Sequence, residues 1–213
     1  RAIVNDGCVW ASDAVHMNDA LEGVWLDEVV KRIEGREWAE WRESGHILHG
    51  YGVWKTDFYI ACLTEKGDLL SQWRSYADDG RGASIGLGLE GFEIATGLSF
   101  TDVFHTSSLG CTIDRVVYDE ASQAEVARRV FRYVDHLMRS AAAERGYFYD
   151  AIVDTGRNCL AYVSRLLKHP GFSEEQEWRL IYGGKSDRRP AEINPDLKHR
   201  FRGKEEIGYF EFS

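Results

Sequence analysis

The sequence predicts a single α+β domain, with a mixed or largely antiparallel sheet and flanking helices. Three observations carry this. Apolar patterns of period two and of helical period follow one another without the regular strand–helix alternation of a doubly wound fold. One long stretch, residues 120–145, is strongly amphipathic at helical spacing. Aromatic and β-branched runs mark short strands near both ends and the middle of the chain.

From the start, residues 7–12 (GCVWAS) read as a short strand. Asn18 and Asp19 offer an N-cap to a helix reaching about Arg42, with Leu21, Trp25, Val29 and Ile33 near one face. Residues 53–63 read as a strand. Asp68 can cap a short helix through Ala77 that aligns Leu69, Trp73 and Tyr76. Residues 83–89 and 112–118 read as further strands. Ser122 and Glu125 form a capping-box pattern for the long helix, with Asp119 as an alternative start. Its stripe is Val126, Val130, Val134, Leu137 and Ala141, and Gly146 ends it. Residues 155–168 predict another helix, with Cys159, Val163, Leu166 and Leu167 inward and Pro170–Gly171 as the stop. Residues 178–182 and 207–212 predict the last strands, the latter after a polar, basic loop.

With 213 residues, 44% of them hydrophobic, the chain can bury one main core, and 1–213 is expected to be one domain. Three prolines and no low-complexity tract argue against disorder. A net charge of −9 argues against general binding of nucleic acid or an acidic membrane, since both need a positive surface field. Local basic patches lie around 185–189 and 198–204. Cys8, Cys62, Cys111 and Cys159 are far apart and form no CxxC pair, so buried thiols in a reducing, cytoplasmic setting are expected. No apolar run approaches the roughly 18–20 residues that span a bilayer. The chain begins at Arg1 rather than Met, so residues upstream are expected.

Two segments concentrate chemistry. Residues 70–87 (LSQWRSYADDGRGASIGL) set Trp73, Arg74, Tyr76, Asp78, Asp79 and Arg81 close together, a mixture suited to stacking a flat polar ligand. Residues 172–182 (FSEEQEWRLIY) place Glu175 two before Glu177, and Glu177 two before Arg179. In a strand Glu177 and Arg179 share a face, while Trp178, Leu180 and Tyr182 point to the other. A carboxylate at a strand start can stabilise a cation or take a proton; the alternatives are an exposed Glu–Arg ladder or a Ser173-x-x-Gln176 cap.

Other matches are weaker. Gly82-Ala-Ser84-Ile-Gly86 fits G-x-S-x-G, but Ser84 follows a helix and is expected to pack in a strand, not to crown an elbow. Gly86-x-Gly88-x-x-Gly91 opens no convincing helix. His46 and His49 have no nearby third ligand, so no metal is assigned. Asn18, Asp19 and Glu22 suit a helix start or, alternatively, the polar rim of a cleft.

These motifs resemble the family called domain of unknown function 2971. The resemblance rests on VWAS followed by Asn18-Asp19-Ala20-Leu21-Glu22, on 70–87, on Glu175-Gln176-Glu177-Trp178-Arg179 and on the ending FRGKEEIGYFEF. Ala20 stands where the family often has proline, and the family's usual opening strand precedes this chain. The motif order is in turn similar to that of bacterial toxin-type ADP-ribosyltransferases, which end in a Glu-x-Glu or Gln-x-Glu loop running into a strand. That similarity implies an NAD-using transferase, in toxin or phage-defence biology, acting on an unknown macromolecular acceptor. It implies Glu177 and Glu175 as catalytic acids. Trp73 or Tyr76 would stack a ring, Arg74, Arg81 or Arg179 would meet the pyrophosphate, and Asn18 and Asp19 would line the cleft, with no metal needed. A non-catalytic nucleotide- or protein-binding module of the same fold is the alternative, and a hydrolase acting through Ser84 or a Mg²⁺-dependent nuclease stands behind it.

Overall fold

The computed structural model describes residues 7–17, 25–33, 58–88, 111–142, 147–183 and 196–212. Six strands are present among them: β1 (Val9–Asp13), β2 (Phe58–Thr64), β3 (Cys111–Arg115), β4 (Glu177–Gly183), β5 (Lys198–Arg202) and β6 (Glu205–Phe212). They form one sheet in the order β3-β4-β2-β1-β6-β5, with every neighbouring pair antiparallel. The fold is therefore α+β, and of the two sheet types expected it is the antiparallel one.

Among the described residues four α-helices accompany the sheet: α1 (Trp25–Arg32), α2 (Leu70–Tyr76), α3 (Glu120–Ala142) and α4 (Tyr147–Ser164). Helices α1, α3 and α4 contact one another. Their apolar stripes bury Trp25, Leu26, Val29, Val130, Phe131, Val134, Leu160 and Val163 in one core with Phe58, Ile60 and Ile181 of the sheet. Burying one such side chain as completely as Phe131 contributes about 1.5–3 kcal/mol. At Gly156 of α4 an added Cβ would come within 2.8 Å of Met138 Cε on α3, so the absence of a side chain lets the two helices approach. The alternate residues of the strands form a second core: Ala11, Tyr59, Ala61, Leu180, Tyr182 and Phe210. Both faces of β4 are thus buried, as the alternation of Trp178, Leu180 and Tyr182 against Arg179 implies.

Several boundaries differ from expectation, for local reasons. Within the described residues the first helix spans Trp25–Arg32; Asn18, Asp19, Glu22, His46, His49 and Gly91 lie outside them. Asp68 does not cap α2. The cap position is Leu69, without a side-chain bond, and the Asp68 carboxylate instead accepts the Trp73 indole N–H at 2.7 Å. The long helix begins at Asp119, whose carboxylate accepts the Ser122 N–H at 2.8 Å; Glu125 pairs with Arg129 rather than closing a box. Helix α4 starts at Tyr147, a turn or two before the expected 155. Residues 83–88 are not a strand: they have no regular structure, and Ser84 is exposed rather than packed. Gly82, Ala83, Ser84 and Gly86 offer almost no side chain to bury against a neighbour, which removes the usual reward for joining a sheet.

Candidate functional site

The face of the sheet that carries α1, α3 and α4 changes character along its strands. Ile60, Ile181 and Thr112 lie side by side in register on β2, β4 and β3. The next row on that face is Cys62, Arg179 and Asp114, and the row beyond pairs Thr64 with Glu177. The apolar core thus gives way to a charged end of the same face, built by strand alternation alone.

Glu177 opens β4 and is 4% exposed, while Arg179 is 0% exposed. The Arg179 guanidinium grips the carboxylate with both arms, Nε to Oε1 at 2.8 Å and Nη2 to Oε2 at 3.1 Å. Its third arm, Nη1, donates to the Arg165 carbonyl. Lys168 Nζ donates to Glu177 Oε2 at 2.9 Å and to Glu175 Oε2 at 2.7 Å. Two carboxylates and two cations therefore balance in a site largely closed to water. Burial opposes ionisation of Glu177, but Arg179 and Lys168 outweigh it and hold the carboxyl below its ordinary range. Burial likewise opposes the Lys168 charge, and Glu177 and Glu175 overcome it and raise the ammonium.

Gln176 stands between the two acids in the left-handed region, at φ 42°. A non-glycine residue there is strained, and here the kink lets Glu175 and Glu177 meet one lysine. Pro170–Glu175 forms a 3-10 turn that brings Phe172 beside the same lysine, with Nζ 5.0 Å from the ring centroid. Tyr118 accepts the Glu177 N–H at 3.2 Å, and burial pushes its phenol up to about 12.

Tyr76, at the end of α2, lies within electrostatic range of this group. Partial burial raises its phenol, and the nearby Glu175 charge raises it further; Lys168, Cys62 and Glu177 are also close enough to act on it. Its ring is nonetheless 58% exposed. The other residues of that segment stand apart from the network. Trp73 is half-buried and tied to Asp68, Arg74 is exposed, and Arg81 pairs with Asp78 at 2.9 Å. Trp73→Phe keeps most of the ring and loses only that exposed bond, so it should cost about 0.5–1.5 kcal/mol in urea denaturation.

A second polar group lies beside the first and was not visible in the sequence. Tyr162 of α4 donates to Asp114 of β3, and Thr112 Oγ1 lies 2.8 Å from the same hydroxyl. Burial pushes the Asp114 carboxyl up to about 6, against the lowering effect of the Tyr162 bond. Lys168 was also missed, because it reads as the polar end of a helix. Among the described residues no group of three His, Cys, Asp or Glu could hold a metal ion, and no helix is long and apolar enough to cross a membrane.

No curated protein and no solved structure matches the chain. A family model does, over residues 72–180, from α2 through the Glu175–Glu177 loop into β4. The stretch holds both polar groups described above, and the chain belongs to the family described as Protein of unknown function (DUF2971).

Proposed function

We propose that Tyr76, Glu175, Lys168 and Glu177 form one site for a nucleotide, with NAD as the ligand and ADP-ribosyl transfer as the reaction. What supports this is the buried network in which Lys168 joins Glu175 to Glu177, with the part-exposed Tyr76 of α2 within electrostatic range of it. The exposed Tyr76 ring can stack on a base or nicotinamide. Lys168 and Arg179 already face carboxylates, so a pyrophosphate would need a cation other than these two.

In this reading the nicotinamide–ribose bond breaks, nicotinamide leaves with the bonding pair, and the ribose carbon takes oxocarbenium character. An acceptor nucleophile then attacks that carbon and gives its proton to Glu175. Glu175 is suited to this because Oε1 carries no hydrogen bond among the described residues. Glu177 is a positioning residue: its two oxygens accept three strong donors and leave little room for a ribose hydroxyl.

A second reading, nucleotide binding without turnover, is favoured by that same saturation of Glu177. Millimolar NAD should raise the melting temperature in either case. Nicotinamide release, measured by chromatography, separates them. Tyr76→Ala should remove the thermal shift, and Glu175→Gln should keep the shift while lowering label transfer. No shift with NAD, together with a shift on adding Mg²⁺ or Mn²⁺, would sink both readings.

A further inference from the structure

We propose that residues 67–84, the short helix α2 with its two flanking turns, form a lid that closes over a nucleotide bound at the Lys168–Glu175 group. The lid rests on that reading of the site and supplies its gate.

The segment is weakly seated on the rest of the chain. Helix α2 buries no residue, and Leu70 at its start and Tyr76 at its end are 64% and 58% exposed. Seven residues are too few for a helix to persist in water alone, and the cap position adds no side-chain bond. Ser71, in the first turn, has its hydroxyl shut from water with no hydrogen-bond partner among the described residues. An unpaired buried hydroxyl is unfavourable, so the segment can leave this seating readily.

The segment's bonds are instead its own. Trp73 donates its indole N–H to Asp68, and Arg81 pairs with Asp78. The Gly80 N–H reaches the Trp73 carbonyl at 3.1 Å, and the Gly82 N–H reaches the Ala77 carbonyl at 2.8 Å. Asp78, Asp79 and Gly80 are all left-handed, at φ 49°, 58° and 88°, and turn the chain back on itself. At Gly82 an added Cβ would come within 2.8 Å of the Ala77 Cβ, so that close return needs glycine. A loop packed on its own side chains moves as one piece.

The two ends of that piece meet. A Cβ built at Gly67 would lie 3.4 Å from Ser84 Oγ, so the whole segment hangs from one narrow neck. Gly67 stands on one side of the neck, and the exposed, irregular, small-residue stretch 83–86 on the other. Just before it, Thr64 Oγ1 donates to the Glu175 carbonyl at 2.6 Å and the Glu65 N–H to the Gln176 carbonyl at 3.2 Å. The neck is thus bonded to the backbone of the acidic loop. Tyr76 lies within electrostatic range of Glu175 and Lys168, so closing carries its exposed ring onto a ligand held there.

The test is hydrogen exchange of the intact chain with and without millimolar NAD, read by mass spectrometry on overlapping peptides. In the free chain the amides of 70–76 should exchange at least about a hundredfold faster than those of 126–134 in α3, through an opening that leaves the rest folded. NAD should slow exchange at least about tenfold across 68–82, the end at Leu70 included, because closure holds the whole piece. If 70–76 exchange no faster than α3, the segment is part of the rigid fold and there is no lid. If NAD raises the melting temperature but protects only the residues around Tyr76, or none of the segment, the ligand site stands and the lid alone falls. If NAD neither raises the melting temperature nor protects the segment, site and lid fall together.

Discussion

Glu177→Gln is expected to destabilise the fold by about 3–5 kcal/mol, seen as a lower urea midpoint at unchanged slope. The sequence alone puts Glu177 at the mouth of a cleft, where losing its charge would be harmless to folding. The structure gives it partners instead. Arg179 is fully buried and directs two of its donors at this carboxylate, and Lys168 adds a third. An amide replaces one acceptor oxygen by an NH₂ group, which then faces donors. Arg179 keeps its charge and loses its counter-charge in a place that water does not reach. Breaking a buried pair from one side is costly for that reason. Removing both charges, as in Glu177→Leu with Arg179→Met, should cost less than Glu177→Gln alone. A loss under about 1 kcal/mol in Glu177→Gln would show that the network is open to solvent.

The same network sets a pH window. The folded Glu177 carboxyl lies below its ordinary value of 4.5, so its contribution is present above that pH and is lost as pH falls through the folded value. The folded Lys168 ammonium lies above 10.5, so its contribution is present below that pH and disappears as pH rises through the folded value.

What was legible in the sequence and what was not divide along physical lines. Helix α3 was legible because Val126, Val130 and Val134 repeat at the helical period over many turns, and a long period leaves little ambiguity. β4 was legible because its alternation is complete. β5 was not: an edge strand buries nothing, so its composition follows solvent and partners rather than a core. The strand expected at 83–89 failed for the opposite reason, since its small residues tolerate a strand without requiring one. Of the site, the Glu-x-Glu loop and Tyr76 were both singled out; Lys168 joins Glu175 to Glu177, and Tyr76 lies within electrostatic range of them. Trp73 and Arg81, from the same segment, find partners in Asp68 and Asp78 instead. The sequence could not show that Lys168 closes the network or that Asp114 lies against Tyr162. Both depend on how β3, β4 and α4 stack, and a charged residue written in sequence carries no mark of its later burial.

Asp114→Asn is expected to stabilise the protein at neutral pH, by about 1–3 kcal/mol, and to change little near pH 4. Asp114 stands next to Arg179 in register, yet that guanidinium is engaged with Glu177 and with the Arg165 carbonyl. Among the described residues the carboxyl's hydrogen-bond partner is the Tyr162 hydroxyl, and burial raises it from 3.8 to about 6. A raised carboxyl means that the fold holds the proton more tightly than the unfolded chain does. The penalty for ionising it is absent below about pH 4, grows as pH rises, and is complete above about pH 6. At about 1.4 kcal/mol per unit the shift corresponds to about 3 kcal/mol, and partial exposure of the side chain reduces this. Asparagine mimics the protonated form, keeps an acceptor for the Tyr162 hydroxyl and carries no charge to desolvate. Urea denaturation of both proteins at pH 4, 5.5 and 7.5 should show curves that coincide at the acid end and separate towards neutrality. Glu177 affects both proteins alike, so it cancels in the difference. A variant less stable than the parent at pH 7.5 would overturn the account, since it would mean that the ionised carboxylate is held by a cation, with Arg179 the nearest candidate.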